Sequence, residues 1–292
     1  MQRNRRFASW AAAALGLFLA LVMNAALAHA RDDDDDNNAV VKEEFHQTYP
    51  LAANGRIELD NINGAVHISV WDQNQVKVDA VKRAHDETRL KDEEIRVESR
   101  PDSISIETHY RDHDGDWGHP HVNPGSVEYT LTVPRTARLD EIKLINGRLD
   151  VSGVTGEVRA SCINGRLVAR DLGGRAKLAT INGTLNAEFP RLANPIDLSS
   201  VNGSVHLTLP SDTKANVEAS TVHGGIDNDF GLRTNDHRFV GHDMRGELGG
   251  GGVEVHLSNV NGSIEVRHAG DGRALSPAKD TAERDHDDDD DI

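Results

Sequence analysis

Cysteine and aromatic residues are scarce in this sequence. The first scarcity excludes a disulfide-stabilised fold, and the second disfavours one class of enzyme. The 292 residues include a single cysteine, Cys162, so no intramolecular disulfide can form. Phe, Trp and Tyr make up only 4% of the chain, which leaves Val, Ile, Leu and Ala to build the core. Such a core indicates thin, regular layers. Because sugar-processing grooves usually contain stacking aromatics, the composition also disfavours a polysaccharide-active enzyme.

Positive charge is also in deficit. The chain has 32 Lys and Arg against 48 Asp and Glu, which gives a formal net charge of -16 at pH 7. An acidic surface has no electrostatic attraction to nucleic acid or to a bare anionic membrane. We therefore predict no nucleic-acid partner.

The one long apolar run lies near the N-terminus, at residues 10–23. Three arginines precede it, and "AHA" at 28–30 follows it with small residues at its first and third positions. This pattern is typical of a secretory signal peptide, and the run is shorter than the roughly 20 residues that a membrane span needs. We predict that residues 1–30 are cleaved after about Ala30. No membrane span would then remain, and the mature protein would be periplasmic, secreted or at the cell surface.

Both ends of the predicted mature chain are acidic and low in complexity, with five adjacent aspartates in each. Blocks of like charge repel themselves and bury nothing, so we expect residues 31–39 and 269–292 to be disordered. Between them we distinguish an N-terminal β region at 40–138 and a repeat region at 139–268.

A short motif, typically Asn-Gly after a β-branched residue, recurs among runs in which apolar and polar residues alternate as in half-buried strands. Its central residues are Asn63, Asn146, Asn164, Asn182, Asn202, His223 and Asn261. After Asn146 the intervals are 18, 18, 20, 21 and 38 residues. A period near 20 residues indicates a repeat architecture, and the last interval predicts a degenerate unit near 241–250.

Aligned on this residue, the repeats have constant columns. The column directly before it is β-branched in every repeat, and we expect it to stack inside the core: Ile62, Ile145, Ile163, Ile181, Val201, Val222 and Val260. The column two residues before it takes mostly small or polar side chains. Cys162 belongs to that column, so we interpret it as a packed thiol and not as a nucleophile.

Two folds are compatible with these columns. Asn-Gly between alternating strands is a strong hairpin signal, so an antiparallel β-meander or sandwich is one alternative. In an all-β solenoid, similar to a right-handed β-helix with about 18–21 residues per coil, the same residues are corners that stack at the strand spacing of about 4.8 Å. Asparagines stacked in this way can form a ladder of amide hydrogen bonds, as in stacked sheets. A meander gives no reason for Asn to recur in register, so we favour the solenoid.

Several segments together carry a resemblance to a known family: "NINGAVHISVWDQNQVKVDAVKRA", "YTLTVP", the serial "ING" and "VNG" units, and "GELGGGG" before "LSNVNGSIEV". With them the chain resembles a bacterial β-strand-repeat family of unknown function whose members are described as adhesins. The resemblance covers residues 40–267. It implies an exported, β-helix-like envelope protein with no established enzymatic mechanism, and so it offers no catalytic residues.

The segment 108–125 concentrates imidazoles and carboxylates, which suit zinc, copper or nickel. Its candidate metal ligands are His109, His113, His119, His121, Asp112, Asp114 and Asp116. The alternative is an ordinary solvated loop between two strands. A divalent metal at this segment is the only cofactor for which the sequence offers candidate ligands.

We predict from these observations a non-enzymatic envelope protein, adhesin-like or scaffolding, that presents a binding surface to envelope or cell-surface polymers or proteins. The outward positions that would form this surface are Arg148, Asp150, Arg166, Thr184, Ser204, His206, Glu265 and Arg267. The alternatives are a periplasmic divalent-metal-binding protein that uses the His/Asp-rich segment and, less favoured, a polysaccharide-active β-helix enzyme.

Overall fold

A computed structural model describes residues 40–110, 125–236 and 241–281. The predicted signal peptide, the acidic runs at both ends and most of the His/Asp-rich segment lie outside these residues. The described part is almost entirely β-structure.

Seven strands and one short helix form the N-terminal part: β1 (Val41–Pro50), β2 (Arg56–Asn63), β3 (Val66–Trp71), β4 (Gln75–Ala84), α1 (Glu87–Asp92), β5 (Glu93–Arg100), β6 (Ser103–Tyr110) and β7 (Ser126–Pro134). The helix begins after Asp86, whose side chain accepts a hydrogen bond from the backbone N of Arg89 at 2.9 Å.

The repeats begin with three long strands, β8 (Arg138–Ser152), β9 (Val158–Arg170) and β10 (Ala176–Glu188). Shorter strands follow them: β11 (Ile196–Asn202), β12 (Val205–Leu209), β13 (Ala215–His223), β14 (Ile226–Asn228), β15 (Thr234–Asp236), β16 (His242–Leu248), β17 (Val253–Asn261), β18 (Ile264–His268) and β19 (Ala278–Asp280).

The repeats pair in parallel, with each corner residue beside the corner residue of the next coil. Asn164 lies opposite both Asn146 and Asn182, and Asn182 lies opposite Asn202. The predicted β-solenoid is therefore confirmed, and the antiparallel meander of Asn-Gly hairpins is wrong. Each coil has a first limb before its Asn-Gly corner and a second limb after it, and we name each coil by its corner residue.

The coils do not stack in chain order. Strands β17 and β18, the last coil in the chain, lie between β11–β12 and β13–β14. Strands β2 and β3, the first coil, lie in the same way between β8 and the pair β6–β7. The order along the stack is β6–β7 followed by the coils Asn63, Asn146, Asn164, Asn182, Asn202, Asn261 and His223.

The interval between His223 and Asn261 holds no further coil in its described residues, so the prediction of a degenerate unit near 241–250 is wrong. Strand β16 instead runs antiparallel to β13 beyond the last coil of the stack. The interval is long because the chain makes this end strand before it returns to form the Asn261 coil.

The core fills the space between the two limbs. It consists of aliphatic side chains four residues before and three residues after each corner, such as Leu178 and Leu185 in the Asn182 coil, both 0% exposed. The column directly before the corner is not inside, contrary to prediction: Ile181 is 42% exposed and Val201 39%. The position two before the corner, such as Thr180, is buried instead. Because strand side chains alternate, its neighbour must point outward.

Antiparallel strands close both ends of the stack. Strands β5 and β4 pair with β6 and β7, β1 pairs with β4, and at the other end β15 and β19 pair with β16. Ser276 is buried and donates a hydrogen bond to the carbonyl of Thr213 at 2.6 Å. Paired strands therefore continue past His268, beyond the boundary predicted for the disordered tail.

Candidate binding surface

The corner asparagines are joined by their side chains into one amide ladder. In each step the Nδ2 of one asparagine donates to the Oδ1 of its neighbour in the stack, over 2.8–2.9 Å. The ladder runs through Asn63, Asn146, Asn164, Asn182, Asn202 and Asn261. It fixes the corners in register and leaves the limbs on either side as flat, regular faces.

Glycine follows the corner residue because the coils approach each other most closely there. Gly183 has φ +153°, and a Cβ at this position would collide with the backbone oxygen of Gly165 in the neighbouring coil. The same collision recurs between Gly203 and Gly183. Any side chain at these positions would push two coils apart.

Three side chains in the buried column two residues before the corner lie against backbone oxygens of these tight corners, whereas the hydroxyls of Thr180 and Ser200 in the same column have no hydrogen-bond partner among the described residues. The Nδ2 of Asn259 donates to the oxygen of Gly203 at 2.7 Å, and Oγ1 of Thr221 donates to that of Gly262 at 3.1 Å. The thiol of Cys162 lies 3.6 Å from the oxygen of Gly147. Burial raises the pKa of this thiol to about 11, so it is a poor nucleophile at neutral pH.

The outer side of the second limbs forms a surface that we call the polar face. It contains every outward position named from the sequence: Arg148, Asp150, Arg166, Thr184, Ser204, His206, Glu265 and Arg267. Their inner neighbours, such as Leu167 and Val205, are 0% exposed. The outer residues differ from coil to coil while the inner ones remain aliphatic.

Two similar charge clusters lie on the polar face. Near one end, Asp150 lies 2.9 Å from Nδ1 of His67 and 2.7 Å from Nε of Arg148. Near the other end, Glu265 lies 3.1 Å from Nδ1 of His206 and 2.8 Å from Nη2 of Arg267. The hydrogen bond from Arg267 holds the pKa of Glu265 below its usual range, and His206 adds to this effect. Each cluster joins two adjacent coils and neutralises its own charges.

The middle of the polar face differs from these clusters. Arg166 is exposed, lies beside Thr184 of the next coil, and has no carboxylate partner in the part of the chain that the structure describes. Thr184 and Asn186 add a hydroxyl and an amide close by. This region can therefore donate several hydrogen bonds to a bound molecule, and those from the Arg166 guanidinium are charge-assisted.

The His/Asp-rich segment connects β6 to β7. Strand β6 ends at Tyr110 and β7 begins at Ser126, and these strands pair with β2 and β3, which lie on either side of the Asn63 corner. His109 lies near the end of β6, while His113, His119, His121, Asp112, Asp114 and Asp116 lie outside the described residues. The described residues alone contain no group of three potential metal ligands. The metal site stays a prediction.

One titratable group close to this segment was not predicted. Glu93 is only 2% exposed, and neither carboxylate oxygen has a hydrogen-bond partner within the described residues. Its burial raises the pKa to about 7, although nearby Lys82 opposes the shift. Glu93 begins a strand directly after α1, where alternation does not yet show which side chains point inward.

The repeats identify the family. Residues 138–267 match the family model described as Toastrack DUF4097. The repeat region belongs to the Toastrack family. No curated protein matches the chain. Among the described residues, no helix is both long and apolar enough to cross a membrane.

Solved structures similar to this chain come from several bacteria. A "putative cell adhesion protein" from Clostridium sporogenes is 14% identical, with 79% of this chain and 100% of that chain covered and a TM-score of 0.46. A "putative adhesin" from Bacteroides fragilis is 13% identical, with 77% and 97% covered and a TM-score of 0.28. A "putative lipid binding protein" from Parabacteroides distasonis is 8% identical, with 80% and 97% covered and a TM-score of 0.29. These likenesses assign no function to the chain.

Proposed function

We propose that this protein is an exported, non-enzymatic scaffold whose polar face binds an envelope or cell-surface polymer or protein. The observation that carries the proposal is the middle of the polar face, where Arg166, which has no ion-pair partner among the described residues, lies beside Thr184 of the next coil. The amide ladder holds the corners of the backbone that carries these residues in register, so little backbone entropy is lost when a partner binds.

Charge narrows the chemistry of the partner. The protein is acidic overall, which disfavours a densely anionic polymer, whereas the charge clusters at both ends of the polar face are already neutralised. The expected partner offers hydroxyl and amide groups with isolated acidic groups for Arg166. A glycan with scattered carboxylates and a protein loop with one acidic residue both have this character.

The test is binding of residues 31–292 to an array of neutral and acidic envelope glycans and to extracted envelope proteins. We expect Arg166→Ala to weaken binding at least fivefold. The matched control is Arg191→Ala, since Arg191 is also exposed, also has no ion pair among the described residues, and lies outside the polar face. Equal affinities for the two variants, or no bound probe, would refute the proposal.

Enzymatic activity is tested separately. The same glycans, incubated with the protein, are assayed for new reducing or unsaturated ends. We expect none, because the sequence contains no recognised catalytic motif. Release of such ends would restore the β-helix enzyme as the better hypothesis.

The rival function, divalent-metal binding by the His/Asp-rich segment, is tested by calorimetric titration with Zn²⁺, Cu²⁺ and Ca²⁺. Binding that disappears in a His113→Ala/His119→Ala variant would support a metal-binding protein. Binding that persists unchanged in this variant would exclude the segment as the site.

Export is tested by mass spectrometry of the protein recovered from the periplasm and the culture medium. A mature N-terminus near Arg31 is expected from the signal-peptide pattern. Recovery of the intact N-terminus in the cytoplasm alone would contradict the proposed location.

A further inference from the structure

The outer side of the first limbs carries a continuous row of aliphatic side chains, which we call the aliphatic stripe. In stack order its members are Ile62, Ile145, Ile163, Ile181, Val201, Val260 and Val222. The last five of these are 37–42% exposed, and the described residues contain only two other exposed large hydrophobic side chains, Val40 and Leu275. Exposed aliphatic area is thus concentrated in one line, which is typical of an interaction surface.

A shallow furrow of small side chains runs beside the aliphatic stripe. It lies two residues earlier on the same outer side and consists of Ser161, Ala179, Ser199, Ser258 and Ser220. The first two coils have Asp60 and Lys143 in this column, so the furrow spans the five coils from Asn164 to His223. In these coils neither column contains a charge.

Charged and titratable residues lie at the outer margin of the furrow, in the next column along the strands. They are Arg159, Lys177, Asp197, His256 and Glu218, and Lys177 forms an ion pair with Asp197 at 3.2 Å. The surface therefore has an uncharged centre, with charged and titratable residues along one margin and the polar corner residues along the other. This is the anatomy of protein interfaces and differs from that of an ordinary solvated strand.

We propose that this surface binds a second copy of the same chain. The aliphatic stripe and the furrow are parallel and adjacent. A two-fold axis that runs between them, in the plane of the interface, places the aliphatic stripe of each copy over the furrow of the other. Such an arrangement is self-complementary, as a symmetric dimer requires. The rows repeat at the strand spacing of about 4.8 Å, and a second copy has the same spacing by construction.

The available area sets the expected strength. Five coils at about 4.8 Å, with six residues of each first limb at about 3.3 Å, give a patch of about 25 by 20 Å. Two such patches bury about 1,000 Å² in total, which is the lower limit for a specific interface. We therefore expect a reversible dimer with a dissociation constant in the micromolar range.

The test is sedimentation velocity of residues 31–292 over a concentration series from about 1 to 300 µM, which brackets the expected constant. The wild-type protein is expected to shift from monomer to dimer. The variant Ile181→Lys/Val201→Lys is expected to weaken self-association at least tenfold, because it places charges in the centre of the patch. Larger aggregates in place of a dimer would contradict the symmetric arrangement.

The matched control is Asn186→Lys/His206→Lys, which places two lysines on the polar face of the same two coils. It is expected to dimerise like the wild type, and circular dichroism melting checks that both variants are folded. A wild type that stays monomeric throughout, or equal association of the two variants, would overturn the proposal. Neither result bears on the glycan and protein array, because the two proposals use different faces.

Discussion

Nδ2 of Asn164 donates to Oδ1 of Asn146 at 2.9 Å, although the two residues are 18 positions apart. Asn164 also accepts from Asn182, so it makes two hydrogen bonds within the amide ladder. Truncation to alanine should cost about 1–2 kcal/mol of unfolding free energy, since each net hydrogen bond contributes about 0.5–1.5 kcal/mol. Urea unfolding measures this. The control is Asn194→Ala, which removes one exposed hydrogen bond outside the ladder, and an equal cost for both would argue against a stabilising ladder.

Two adjacent glycines provide an internal comparison of the corner geometry. Gly224 has φ +144°, and a Cβ there would meet the backbone oxygen of Gly262, whereas a Cβ on Gly225 meets nothing within 4 Å. Gly224→Ala should destabilise the protein by at least about 2 kcal/mol, because it combines backbone strain with separation of two coils. Gly225→Ala should change stability by less than about 0.5 kcal/mol. Thermal and urea unfolding of both variants decide this, and similar values would contradict the close packing of the corners.

The buried carboxyl of Glu93 should make stability depend on pH. Its pKa in the folded protein, about 7, lies above the usual value of 4.5, so the folded state holds the proton more tightly than the unfolded state does. Stability from this group is complete below pH 4.5 and declines as the pH rises through 7. Glu93→Gln should remove this dependence. The free energy of unfolding of the variant, relative to that of the wild type, should therefore rise by up to about 3 kcal/mol between pH 5 and pH 8. Urea unfolding at both pH values tests it, and a difference independent of pH would contradict the buried, protonated carboxyl.

Cys162 should be chemically silent while the protein is folded. Its thiol is 1% exposed and its pKa is raised to about 11, so at pH 8 only about a thousandth is ionised. A disulfide reagent such as DTNB should label it at least a hundredfold more slowly in buffer than in denaturing urea. The control is an Ile181→Cys/Cys162→Ser variant, whose thiol lies in the exposed aliphatic stripe and should react at once. Fast labelling of the native Cys162 would show that the corner opens readily.

Sequence reasoning predicted the coil and its corners because the same physical constraint repeats in every unit. Gly183 and its equivalents must lack a side chain, and Asn182 and its equivalents bond to copies of themselves, so both appear as columns. The direction of the neighbouring column could not be predicted in this way. Ile181 is β-branched, as buried strand residues often are, yet it points outward and Thr180 points inward. Because Oγ1 of Thr180 has no hydrogen-bond partner among the described residues, no polar contact at this position signals the direction either.

The stacking order and the role of Glu93 depend on contacts that no local pattern records. The pairing of β17 with both β11 and β13 joins segments far apart in the chain, and their sequences differ little from those of their neighbours. Glu93 is buried in the end strands of the stack, where it pairs with Tyr110 of β6 and lies near Lys82 of β4. Local alternation at the start of β5 contains no sign of this.

The two ends of the stack are not the two ends of the chain. The outermost coils, β6–β7 and β13–β14, come from internal segments, while the first and last repeats have coils on both sides. During synthesis, β13–β14 therefore emerges before the coil that must separate it from β11–β12. The stack cannot be completed by adding one coil at a time in the order of translation, as a simple repeat array can. Its assembly waits for the final repeat, so loss of that repeat would open a gap inside the stack and not merely shorten it.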